Sequence, residues 1–169
     1  MASWQILDEP QCHSPNQRAV SMIHAEIQTV CQTWNIPDGD QFQAWLEAVF
    51  PQCSEPMEIV IRIVDEQESA VLNARYRHKS GPTNVLSFPF QSPVELDVHL
   101  LGDLVICAPL VEKEAREQNK KVFDHWAHLV VHGVLHLLGF DHQEEKDASQ
   151  MEAKETAILK KLGIPDPYL

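Results

Sequence analysis

A chain of 169 residues suffices for one ordinary domain. At that length roughly 68–70% of the unfolded surface can be buried, so a core needs no disulfide or metal staple. Hydrophobic residues at 44% and charged residues at 22% exclude a disordered, collagen-like or low-complexity chain. The longest apolar stretch, Leu129 to Leu138, is interrupted by His132 and His136 and falls short of the ~18 residues of a membrane span. Thirteen Lys and Arg oppose 25 Asp and Glu, a formal net charge of −12, so the overall field excludes general adsorption to nucleic acid or anionic membrane. Within this acidic chain Arg75, Arg77, His78 and Lys79 form the one compact basic cluster, where a polyanion would have to be met locally.

In chain order, Trp4 to Leu7 reads as a short strand. Asn16 to Trp34 carries Val20, Ile23, Ile27 and Val30 at spacings of three and four, which predicts a helix. Gln41 to Phe50 reads as a second, short helix. Met57 to Val64 alternates Ile59, Ile61 and Ile63 with Glu58, Val60 and Arg62, a strand signature. Asp65 caps a helix from Glu66 to about Tyr76. After a loop at His78 to Pro82, Asn84 to Phe88 reads as a strand, residues 91–99 as a loop or hairpin, and Leu101 to Ile106 as a further strand.

Pro109 opens a charged helix to Lys121. A long apolar helix covers His125 to Leu138 and stops at Gly139, a C-cap glycine. A last charged helix spans Gln143 to Leu162. These elements predict an α+β fold: a single domain over residues 1–169, with one mixed, roughly four-stranded sheet and five or six helices. The four cysteines (Cys12, Cys31, Cys53 and Cys107) form no CxxC, and read as buried thiols in a reducing cytosol. The opening MASWQILDEP lacks a basic n-region and an apolar h-region, so a secretory signal is not expected.

The chemistry concentrates in residues 132–142, HGVLHLLGFDH. His132 and His136 lie one helical turn apart on one face, where two imidazoles can grip one ion. Gly139 lets the chain reverse, so that His142 can return to the same ion. Three neutral imidazoles leave a fourth tetrahedral position open, the mark of a catalytic rather than a structural zinc site. Apolar residues cover most of this helix, leaving one stripe to His128, His132 and His136. His128 is read as a satisfied histidine lining the cavity. Asp141 has two equal readings: an acceptor for a ligand's second nitrogen, or a cap of the next helix.

The spacing HxxxHxxGxxH is also that of metzincin proteases, but those carry a general-base Glu directly after the first histidine. Here that residue is Gly133, so the proteolytic machinery is missing. Arg77 offers a planar fork suited to phosphate oxygens and to charge building in a transition state; an exposed helix-end arginine is the plain alternative. Arg75 and Lys79 read as contacts to the backbone of a polyanion or as a solvated face. Thr83 and Asn84 can line the site or merely open an edge strand. For Tyr76, Phe88, Phe90 and Phe140, core packing is preferred to base stacking.

HGVLHLLGFDH, Arg77 and PTNVLSFPF (82–90) resemble the bacterial YbeY family of zinc-dependent endoribonucleases, and LGDLVI (101–106) and His125-Trp126-Ala127-His128 fit the same pattern. The resemblance covers about residues 57–162; the first 55 carry no motif, and Ser80 and Phe140 depart from the family's usual Asp and Tyr. It implies a cytoplasmic, single-strand-specific endoribonuclease that matures the 3′ end of 16S ribosomal RNA and takes part in ribosome quality control. It further implies one zinc per chain on His132, His136 and His142, with Arg77 needed for activity. The expected partners are single-stranded small-subunit rRNA and the ribosome or a ribosomal protein, but not DNA or membrane. Two other classes stay open: a different metallohydrolase using the same histidines, and a zinc-containing ribosome-assembly factor without catalysis.

Overall fold

Alternation of β-branched residues dictates the sheet. The computed structural model describes residues 22–32, 35–53, 55–91, 99–140 and 145–169. Four strands are present among them: β1 (Ile23–Thr29), β2 (Met57–Val64), β3 (Val85–Pro89) and β4 (His99–Cys107), ordered β1-β2-β4-β3. β1, β2 and β4 are parallel, and β3 closes one edge antiparallel to β4. In β2 every second residue (Ile59, Ile61 and Ile63) is buried on one face. β4 splits its residues likewise: Leu104 and Ile106 join the main core, while Val105 and Cys107 join a smaller cluster on the opposite face.

The helices among the described residues are α1 (Gly39–Val49), α2 (Glu66–Arg77), α3 (Ala108–Glu117), α4 (Val122–Leu137) and α5 (Glu145–Lys161). Five helices on a mixed four-stranded sheet make the single α+β domain expected. Asp38 caps α1 in a complete capping box with Gln41, and Asp65 caps α2 through the Glu68 amide. α1, α4 and α5 contribute Phe42, Leu46, Trp126, Val130, Met151 and Leu159 to the main core. α2 instead places Leu72 against Leu86, Val105 and Cys107, so it lies on the other face of the sheet from α4.

The helix expected over 16–34 is corrected: Ile23–Thr29 is an edge strand, paired in parallel with β2 from Ile23 opposite Met57 to Thr29 opposite Ile63. Ile23 and Ile27 are four apart, a spacing that both a helical face and an alternating strand satisfy. Ala25 between them completes the alternation, packing with Ile23 and Ile27 while His24 and Glu26 stay exposed. The strand expected at Trp4 to Leu7, and the loop residues 92–98, lie outside the described residues. The cysteines also differ in part: Cys107 is buried, but Cys31 and Cys53 are half-exposed free thiols. Among the described residues no helix is long and apolar enough to cross a membrane.

Candidate metal centre

α4 is buried around most of its circumference; Trp126, Ala127, Leu129, Val130, Val131, Val134 and Leu135 are each at most 4% exposed. Leu138, counted with this apolar face from the sequence, is instead the C-cap and is 42% exposed. Gly139 turns the chain beyond it at φ +88°, a conformation that costs glycine little. The stripe left open holds His128, His132 and His136, each half-buried.

His132 is the hinge of the arrangement. Its Nε2 faces Nε2 of His136 at 3.1 Å. Its Nδ1, on the far side of the ring, lies 2.6 Å from Oε1 of Glu155 in α5. A carboxylate can only accept, so Nδ1 carries the ring proton and Nε2 is left as a lone pair turned toward His136. Two ring nitrogens at that separation must share a proton or a cation between them. The donor set therefore suits a metal ion, and the carboxylate behind His132 is the usual outer partner of a ligating imidazole. His128, His132 and Glu155 also each offer one nitrogen or oxygen within 4.8 Å of the others, a second grouping that could hold an ion.

Glu155 is fully buried, yet its carboxyl is held down to about 2. Burial by itself pushes the value up; hydrogen bonds from His128, His132 and the Tyr168 hydroxyl outweigh it. The same burial and the bond to Glu155 push the Tyr168 hydroxyl above its ordinary range. His128 Nε2 approaches Glu155 Oε2 at 3.3 Å, and its Nδ1 has no hydrogen-bond partner among the described residues. His128 thus touches the site through a carboxylate, but it is not the satisfied histidine expected, since only Nε2 has a partner among the described residues.

A second polar group supports the first turns of α4. His125 donates from Nε2 to Glu114 Oε2 at 2.8 Å, and Asn84 Nδ2 donates to the same carboxylate at 3.0 Å. Burial raises the Glu114 carboxyl, but these bonds bring it below its ordinary value. Next on the strand, the Ser87 hydroxyl donates to the Gly133 carbonyl at 3.1 Å. Thr83 pairs through its backbone with the Ser69 hydroxyl of α2. PTNVLSFPF is accordingly a brace: an edge strand that ties α2 and α3 to the histidine helix.

Gly133 faces that brace and not the histidines. A Cβ there would come within 2.8 Å of Leu104 Cδ2 and 3.4 Å of the Ser87 hydroxyl. A glutamate at 133 would thus point into the core, and the peptidase alternative loses its general base for a packing reason.

A model of the family described as endoribonuclease YbeY matches residues 26–163. The chain belongs to the YbeY endoribonuclease family. The match begins inside β1, upstream of every motif read from the sequence. The chain is also similar to the solution structure of TM1509 from Thermotoga maritima, at 26% identity and a TM-score of 0.56, covering 83% of this chain and 89% of that one. Membership makes the chain a nuclease of the hydrolase class, acting on RNA.

Set beside the YbeY motifs, the structure brings His132 and His136 together; His142 and Asp141 lie outside the described residues. Arg77 ends α2 and is exposed, with no side-chain hydrogen bond or ion pair among the described residues. Arg75 is exposed with its guanidinium 5.3 Å from the Tyr76 ring centre, and Lys79 is exposed in the following loop. Core packing is corrected for two aromatics: Tyr76 is 52% exposed and Phe90 47%, because the first lies at the rim of α2 and the second just past the edge strand. Phe88 and Phe140 are half-buried against the cores.

Sequence reasoning missed Glu155, Tyr168 and Glu114. For Glu155 a signal existed: Met151, Glu155 and Leu159 recur every four residues, and an acid in an apolar stripe demands a buried partner.

Proposed function

We propose that the chain is a zinc-dependent, single-strand-specific endoribonuclease that matures the 3′ end of 16S ribosomal RNA in the cytoplasm and takes part in ribosome quality control. One observation carries this reading: His132 and His136 turn ring nitrogens toward each other at 3.1 Å, in a chain of an endoribonuclease family. His132, His136 and His142 would hold one zinc per chain. A bound zinc ion supplies Lewis acidity toward a phosphoryl oxygen and lets water ionise near neutral pH. The protein's own residues do the remainder. Glu155 fixes the His132 tautomer, and the buried body of α4 keeps the two imidazoles in register. Arg77, without an internal partner among the described residues, is available to a phosphate and to charge developing in the transition state.

Substrate reaches this acidic protein locally. Arg75 and Lys79 flank Arg77 and would contact the RNA backbone, while the ribosome or a ribosomal protein supplies most of the residence time. DNA and membranes are not expected partners, and the net charge of −12 keeps general adsorption to any polyanion weak. Cleavage of a small-subunit precursor 3′ end, compared as single strand and as duplex, tests the reading. Metal-dependent cuts confined to the single strand are expected. Metal-dependent turnover on casein exceeding that on RNA would overturn it.

A further inference from the structure

The Glu155 carboxylate is engaged on both oxygens. Oε1 receives the Nδ1 proton of His132, and Oε2 receives the Tyr168 hydroxyl and lies 3.3 Å from His128 Nε2. Tyr168 comes from the far end of the chain. Gly163, at φ +72°, reverses the backbone after α5, and the tail runs back along the helix. Lys120 Nζ holds the Pro167 carbonyl at 2.6 Å, and the Tyr168 amide donates to Asp166 at 2.9 Å. The Tyr168 ring also stands edge-on to His128, with centres 5.7 Å apart. The tail is thus held to the body by Lys120 and by the His128 ring, and one phenol reaches a carboxylate buried behind the histidines.

We infer that Tyr168 and Glu155 form a two-step positioning relay, in which the tail hydroxyl fixes the carboxylate and the carboxylate fixes His132 with Nε2 presented to a metal ion. Glu155 is here a positioning residue and not a ligand. Its Oε1 meets the edge of His132 opposite to the one facing His136, and no part of the residue is exposed. The inference rests on the metal reading above. Outer carboxylates of this kind typically contribute 10–100-fold in metal affinity.

The test is zinc titration of the metal-free full chain by calorimetry, with ring-nitrogen NMR of His132 in the zinc-loaded protein. Wild type should bind zinc and show a protonated Nδ1. Glu155→Gln keeps the shape but removes the charge, and should weaken zinc binding by about 10–100-fold. Tyr168→Phe removes one hydroxyl from a residue that is 47% exposed and leaves the fold intact. It should weaken zinc binding by a smaller factor, of up to about tenfold, and shift the His132 Nδ1 signal, with a modest drop in the melting temperature of the metal-free chain because a buried carboxylate loses one of its hydrogen bonds.

Zinc affinity and the Nδ1 signal unchanged in Tyr168→Phe would overturn the relay, even if Glu155→Gln failed to fold. Complete loss of zinc in a folded Glu155→Gln would make Glu155 a ligand and also overturn it. Wild type that takes up no zinc would overturn both the relay and the proposed metal site.

Discussion

His132 sits between two partners on opposite edges of its ring, Glu155 at 2.6 Å and His136 at 3.1 Å. The pairing with Glu155 joins α4 to α5 and decides which nitrogen of His132 faces His136. It also makes the core beneath the site sensitive to acid.

Glu155 gives that sensitivity a sign. Its folded value of about 2 lies below the ordinary 4.5, so it stabilises the fold above about pH 4.5, and this contribution is lost as pH falls toward 2. The full contribution is roughly 3 kcal/mol, undiminished by solvent because the carboxylate is fully buried. In metal-free protein, denaturant unfolding from pH 5 to 2.5 should show wild type losing stability faster than Glu155→Gln. Parallel curves would remove the ionised carboxylate from the account.

Gly133 makes a packing prediction. Alanine gains about 1 kcal/mol of helix propensity, but its Cβ must displace Leu104 from a core position that is 0% exposed. Gly133→Ala should therefore be neutral to mildly destabilising. Gly133→Glu buries a carboxylate against that core and should cost several kcal/mol. It should confer no peptidase activity. A stable Gly133→Glu variant that cleaves casein would show that position 133 faces the metal after all.

Arg77 should differ in kind from its neighbours. If it meets transition-state charge, Arg77→Ala lowers turnover by roughly a hundredfold or more with RNA binding changed less. Arg77→Lys is also damaging, because an ammonium lacks the two-pronged contact. Lys79→Ala weakens binding modestly and reduces the salt slope by about one unit. Turnover and binding across a salt series, with zinc occupancy checked, separate these outcomes. Wild-type turnover by a zinc-loaded Arg77→Ala would reduce Arg77 to a surface charge.

Legibility in the sequence followed the strength of each residue's local signal. β2 was readable because three isoleucines alternate with Glu58 and Arg62, and α4 because its apolar face leaves a single histidine stripe. β1 was not, since the Ile23–Ile27 spacing serves a helix and a strand equally, and what selects the strand is pairing with β2, 34 residues away. The histidine pair His132–His136 needed only helical spacing. Its supports needed tertiary structure: Glu155 and Tyr168 arrive from another helix and from the tail, and Asn84, Glu114 and His125 from three elements. Even so, the acid in the Met151–Leu159 stripe was a visible anomaly.

The proposed function stands on the dependence of RNA cleavage on a metal ion held by His132 and His136. Its most direct test is elemental analysis coupled to cleavage of single-stranded RNA, for wild type and His136→Ala, before and after chelation and zinc addition. Expected are one zinc per wild-type chain, cleavage lost on chelation and regained with zinc, and neither zinc nor cleavage in a folded His136→Ala. Undiminished cleavage by chelated, metal-free His136→Ala would contradict it.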